Sequence, residues 1–224
     1  MRRFLKQNSL SIVFLLFFLG ALTGQAIAGH ADFNEQQARH GDPTMSLSRY
    51  VVSSEFGVDV MENWQSEYLQ FSLLILGTVW LLQRGSPESK ELDQAGRESD
   101  EQQKVGKYAQ QNSPLWAKVG GIRRTIYENS LLLVMGMIWL GTWFAQSVTG
   151  LAQYNSERLD HQMDTVTWLG YLGKPDFWNR TLQNWQSEFL AVGSMAILAV
   201  YLRQRGSPNS KPVGSPHSST GIEG

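Results

Sequence analysis

Not one of the 224 residues is cysteine, which excludes a disulfide framework, a thiolate metal site and a cysteine nucleophile. The chain also lacks a phosphate-binding glycine loop, a nucleophile elbow, an HExxH pair and a basic face suited to nucleic acid. Without any of these there is no catalytic constellation, so the sequence reads as a non-enzyme with no cofactor and no nucleic-acid partner. Apolar residues are nearly missing from Glu91 to Gln111 (ELDQAGRESDEQQKVGKYAQQ), and such charged, Gln-rich composition reads as a flexible linker.

What the chain does have is apolar sequence in four blocks: Ser9 to Ala28, Tyr68 to Leu82, Ser130 to Thr149 and Phe189 to Leu202. Roughly 20 helical residues cross a hydrocarbon core about 30 Å thick. The first and third blocks reach that length, while the second and fourth must borrow flanking residues such as Trp64 and Trp185. Eight Trp and seven Tyr fit amphipathic rings settling at membrane interfaces.

The chain is written twice. Shifted by 121 residues, the first 90 lie on Ile122 to Lys211 without a gap and with about a third of positions identical, the kind of internal duplication that precedes any other reading. Asn8-Ser9-Leu10 meets Asn129-Ser130-Leu131, Gly20 meets Gly141, Gln25 meets Gln146 and Tyr50 meets Tyr171. The basic start, apolar stretch and Ala26-Ile27-Ala28 ending resemble a cleavable signal peptide. Because this segment is the counterpart of the internal Ser130 to Thr149, it is expected to remain as an uncleaved first helix.

The expected fold class is therefore all-α and integral to a membrane, with four transmembrane helices as two parallel repeats of a two-helix unit. Residues 1–90 form the first repeat, 91–121 a cytoplasmic linker, 122–211 the second repeat and 212–224 a disordered tail. Pro114 to Val119, with Leu115 and Trp116 beside Lys118, is expected to rest on the inner leaflet. The termini and middle segment hold about 14 of the 19 Lys and Arg, which puts both termini in the cytoplasm by the positive-inside rule. The outer face carries a charge of about −7 and the inner face about +6.

Two motifs are retained where the apolar residues between them drift. NWQSE opens the second helix of each unit, at Asn63 to Glu67 and at Asn184 to Glu188. Asn63, Gln65, Glu67, Asn184, Gln186 and Glu188 are thus candidates for a polar boundary motif, acting as interfacial anchor, as hydrogen-bonded glue between the halves, or as a charge site. QRGSP closes each unit. Arg84 and Arg205 are expected in the last turn, contacting the helix dipole and headgroups, with Gly85 and Gly206 just past the helix end. The stripes Gly20, Gly24, Ala28 and Gly141, Ala145, Thr149 allow close helix packing. His40 and His161 coincide in the repeat beside loop carboxylates. They are the only metal or pH-sensing candidates, without the tight spacing of a metal site.

A chain with ENSL opening one helix, NWQSEFLAVG opening the next and QRGSPNSKPVGSPHSSTG closing it resembles a bacterial family of uncharacterised small multi-pass membrane proteins, classed as a domain of unknown function. The resemblance implies a bacterial plasma membrane and no activity. Its pattern of a Phe-Trp pair before the second helix is broken in the first unit, where Gly57 stands opposite Trp178. Three functions follow as expectations: a non-catalytic structural or assembly protein, ranked first; a small proton-coupled transporter or channel using Glu67 and Glu188; and an outer-face metal or pH sensor. The bilayer is the expected partner, the substrate is unknown, and four short helices enclose little volume unless two copies form a homodimer.

Overall fold

The computed structural model describes residues 2–222. Met1, which opens the first repeat, and Glu223 and Gly224, which end the tail, lie outside the described residues. The described residues are 65% helix with no strand. The helices are α1 (Arg2–Gln7), α2 (Ser9–His40), α3 (Leu47–Tyr50), α4 (Ser54–Gly77), α5 (Leu115–Lys118), α6 (Ile122–Glu128), α7 (Ser130–Asp160), α8 (Trp168–Leu172) and α9 (Pro175–Tyr201), with one 3-10 turn at Gly106–Tyr108. Helix ends carry recognisable signals. Gly41 closes α2 in the left-handed conformation at φ 80°, where glycine pays no Cβ penalty. Pro175 opens α9 with Asp176 in the first turn, as the missing N–H and the helix dipole favour.

Two helices, not the expected four, are long and apolar enough to cross a membrane among the described residues: α2, whose most apolar window has mean hydropathy 2.1, and α7, at 1.6. The reason lies in where the other two begin and end. α4 stops at Gly77, and the N–H groups of Trp80 and Leu81 turn back on the Gly77 carbonyl at 3.0 and 2.7 Å. Thr78 to Leu82, counted as helix from composition, are therefore outside it, and the helical part that remains carries Asp59, Glu62 and Glu67. α9 likewise spends its first half on Asp176, Arg180 and Glu188. Phe189 to Tyr201 then rises only about 20 Å at 1.5 Å per residue.

The chain divides into two compact units, one holding residues up to Val60 with Gln146–Tyr171 and the other Met61–Ala145 with Leu172 onward. In the first unit the duplication is visible as one packing device used twice. Asn34 donates to the Met45 carbonyl at 2.9 Å and accepts from the Met45 N–H at 2.8 Å. Its repeat counterpart Asn155 does the same with Val166 at 3.0 and 2.8 Å. Each Asn thus straps the loop after a long helix back onto that helix. The strap delivers a buried tyrosine: a Cβ on Gly29 would lie 2.5 Å from the Tyr50 hydroxyl, and one on Gly150 2.5 Å from that of Tyr171. Only glycine admits the ring this closely. Burial, and next Asp59, Glu55 and Asp32, push the Tyr50 phenol above its ordinary pKa. Gly57 faces the Thr149 methyl, which a Cβ would meet at 3.0 Å; this leaves no room for the tryptophan found at the equivalent position of the second repeat.

In the second unit each QRGSP motif folds into a loop of its own. The Ser89 hydroxyl accepts from the Gln83 N–H at 2.9 Å and Ser210 from the Gln204 N–H at 2.9 Å, closing two equivalent turns. Gly85 and Gly206 are left-handed, at φ 87° and 81°, as expected of glycines in a turn. They do not sit just past a helix end, however, because α4 and α9 finish well before them. Nor do Arg84 and Arg205 occupy a last turn; both are exposed on the loops. The residue that caps α9 is Arg203, which donates to the carbonyls of Val200 at 3.0 Å and Leu202 at 2.8 Å.

Each loop ends in a lysine that gathers the segment after it. Lys90 donates to the Gly96 carbonyl at 2.7 Å and pairs with Glu98. Lys211, 1% exposed, donates to the carbonyls of Pro216, His217 and Ser219 at 3.3, 2.9 and 3.1 Å. Desolvation, and then Arg203, hold its ammonium below the usual lysine range. The segment so gathered reaches the first loop, where Thr220 accepts from the Gly85 N–H at 2.9 Å and Gly221 donates to the Ser86 carbonyl at 3.0 Å.

Candidate functional site

The two NWQSE copies meet in the second unit, along a seam between α4 and α9. Helical periodicity puts Glu62, Gln65, Ser66 and Leu69 of α4 on one face, and all four are buried or half-buried. Gln65 is 0% exposed. Its carbonyl oxygen accepts from the Trp185 indole N–H at 2.8 Å, and its amide donates to the Glu62 carbonyl at 3.1 Å. One turn toward the start of the helices, Arg180 pairs with Glu62 at 3.3 Å and with Asp176 at 3.5 Å. One turn the other way, the Ser66 hydroxyl lies 2.8 Å from the Asn63 carbonyl and 3.4 Å from a Glu188 carboxylate oxygen. A hydroxyl has one proton, and the shorter contact within its own helix takes it. The indole–amide bond and the Arg180–Glu62 pair therefore hold the seam, and Ser66 only touches Glu188.

The copies are not equivalent. Gln65 and Ser66 are buried, whereas Gln186 and Ser187 are exposed. Asn63 and Glu67 are exposed, while Asn184 and Glu188 are half-buried. Asn184 donates to the Arg180 carbonyl at 3.0 Å within its own helix. Glu67 follows Ser66 on α4 and is exposed, and Glu188 approaches Ser66 from α9, so both carboxylates belong to the same end of the seam.

Around Trp185 the second repeat builds an aromatic cluster. Trp143 lies between Trp139, stacked at 5.8 Å, Phe177 at 6.2 Å, Trp178 edge-on at 6.3 Å and Trp185 at 5.8 Å. Its indole N–H points at the Thr181 hydroxyl, 3.4 Å away. Such offset and edge contacts add to the area that the rings bury. In the first repeat the positions of Trp139, Trp143 and Trp178 hold Phe18, Leu22 and Gly57.

The remaining candidates lie elsewhere. His40 is the last residue of α2 and His161 follows α7; both are exposed, and His161 Nδ1 is bonded to the Glu157 carbonyl at 2.7 Å. Among the described residues no group of three or more metal-ligating side chains gathers. The small-residue positions Gly20, Gly24 and Gly141 face open space, since a Cβ on any of them would meet no atom within 4 Å.

The motif reading overlooked the Arg180–Glu62 pair. The repeat itself carried a signal for it, because Arg180 stands opposite Asp59 and the otherwise duplicated helices thus differ in charge where complementary partners would be needed. The Asn34 and Asn155 straps and their glycines were likewise present as identities.

Comparison with known proteins finds one family model, described as a domain of unknown function (DUF6766), that matches residues 1–222. No curated protein and no solved structure matches the chain.

Proposed function

Because the chain belongs to the DUF6766 family, whose description carries no activity, we propose from its own residues that it is a non-catalytic bacterial plasma-membrane protein whose NWQSE copies lock its helices together. The observation that carries this is α2. Its 32 residues include a window of mean hydropathy 2.1, and none of them is buried. An exposed apolar surface of that extent marks a face that lipid or a partner covers, and lipid is the cover that suits a helix of this length. α7 supports the same reading, with 17% of its apolar window buried.

In this reading α2 and α7 cross outward and α4 and α9 return, so that both termini lie in the cytoplasm and the repeats run parallel. The returning helices are short of a full bilayer and draw the Trp64 and Trp185 turn into the interface. Polar seams are useful in such a place. Lipid offers a helix no hydrogen-bond partner, so an indole–amide bond and an Arg–Glu pair give α4 and α9 a specific register that packing of Leu and Val would leave loose.

The test is topology. The absence of cysteine allows single cysteines at Gln36, Gln94, Gln162 and Val213, probed in intact cells with a membrane-impermeant maleimide. Gln36→Cys and Gln162→Cys are expected to label from outside, and Gln94→Cys and Val213→Cys only after lysis. Recovery of the protein in the soluble fraction after alkaline extraction would overturn the proposal.

The two carboxylates, Glu67 and Glu188, support a second reading as a proton-coupled carrier. That reading requires that Glu67→Gln with Glu188→Gln abolish a proton-linked flux at unchanged protein level.

A further inference from the structure

Beyond the seam, one turn past the Ser66–Glu188 contact, α4 and α9 part around a cleft of about 690 Å³. Its size is that of a small-molecule site. Leu73, Leu74 and Leu81 wall it on one side and Phe189, Val192 and Met195 on the other. The cleft exists because α9 is small where it faces α4: Ala191, Gly193 and Ala196 line it, and a Cβ on Gly193 would meet nothing within 4 Å.

Its charge is of one sign. Glu88, exposed on the first QRGSP loop, is the only ionisable side chain among the described residues that line it. No lysine or arginine lines the walls among the described residues. The remaining polar groups, Gln70, Thr78, Gln83, Ser86 and Ser89, carry hydroxyl or amide groups and no charge.

We propose that this cleft binds an amphiphilic organic cation: an apolar or aromatic body between the Leu and Phe walls, with its positive centre drawn to the Glu88 mouth. Apolar walls supply affinity, and a carboxylate without a basic lining neighbour selects the sign of the charge. An anionic lipid headgroup would instead face Glu88 with like charge. The inference needs only the cleft and does not depend on the membrane reading.

Equilibrium dialysis of the full chain in detergent, against protein-free micelles, tests it with tetraphenylphosphonium as probe and tetraphenylborate as the anion of the same shape. Tetraphenylphosphonium is expected to bind saturably at one per chain, and tetraphenylborate not to compete. Gly193→Leu, which places a branched side chain between the two walls of the cleft, should weaken binding. Glu88→Gln, at an exposed position harmless to folding, should weaken it by up to about fivefold, the upper range for a solvent-exposed ion pair. Glu88→Lys should reverse the preference toward the borate. Binding left unchanged by Gly193→Leu, equal binding of both ions by the unaltered chain, or a phospholipid seen by native mass spectrometry that tetraphenylphosphonium fails to displace would each overturn the proposal.

Discussion

Trp185 matters through a single proton. Its indole N–H satisfies a Gln65 oxygen that has no access to solvent, and a buried acceptor left alone costs about 1–3 kcal/mol. Trp185→Phe is therefore expected to lower stability by that amount in a detergent melt. Adding Gln65→Leu should restore most of it, because an apolar pair of similar volume leaves nothing unsatisfied. At Gly29 the conflict is steric. Gly29→Ala would drive a methyl into the Tyr50 hydroxyl, and overpacking of this kind costs about 1–3 kcal/mol. Combining it with Tyr50→Phe removes the clashing oxygen and should recover much of the loss in the same melt. At this scale the sequence was half legible. The identities at Gly29, Asn34 and Tyr50 with their partners 121 residues on are plain, but small and polar residues carry no apolar period that would announce a strap. The burial of Gln65 and exposure of Gln186 was not readable at all, since the two pentapeptides are identical and only tertiary context separates them.

Among the elements, the linker offers a pH test. A hydrogen bond from Lys90, and to a lesser degree one from Gln103, hold the Glu98 carboxyl below its usual pKa of 4.5. A carboxylate with a lowered folded-state pKa stabilises the fold fully above 4.5, and that contribution is lost as pH falls through the lower folded value. Protection of the 90–98 segment in hydrogen exchange is expected to decline below pH 4.5 in the parent chain and to show no such step in Glu98→Gln. The contribution is small, as the carboxylate is partly exposed. The apolar blocks foretold α2 and α7 because twenty predominantly apolar residues without a charge leave little else to form. The end of α4 was misread because Thr78 to Leu82 is as apolar as the helix before it, and composition is blind to the point where a chain turns back on a glycine carbonyl. Likewise the QRGSP loops looked like helix stops, whereas a serine two residues past each motif, Ser89 or Ser210, is what closes the turn.

For the molecule as a whole, the seam makes a prediction about residues more than a hundred positions apart. Ser66→Cys with Glu188→Cys, in a chain without other thiols, is expected to crosslink within one monomer under a short thiosulfonate reagent, seen as a mobility shift that dilution leaves unchanged. Ser66→Cys with Ser187→Cys should crosslink far less, because Ser187 is exposed and bonded to its own helix at Asn184. Equal yields from the two pairs would mean that the copies meet symmetrically. Duplication was legible in the order of the residues, and so was the all-helical class. The departure from symmetry was not, because it rests on which copy is covered, and identical pentapeptides carry no sign of that.

The seam also sets a schedule for synthesis. Glu62 and Gln65 are translated long before Arg180 and Trp185, the groups that pair with them. Until α9 emerges, α4 waits with a polar face that has no partner. Contacts of such separation form late and leave intermediates exposed meanwhile. A chain interrupted before Pro175 would carry that exposed face permanently, a mark by which membrane proteolysis can tell an unfinished copy from a finished one.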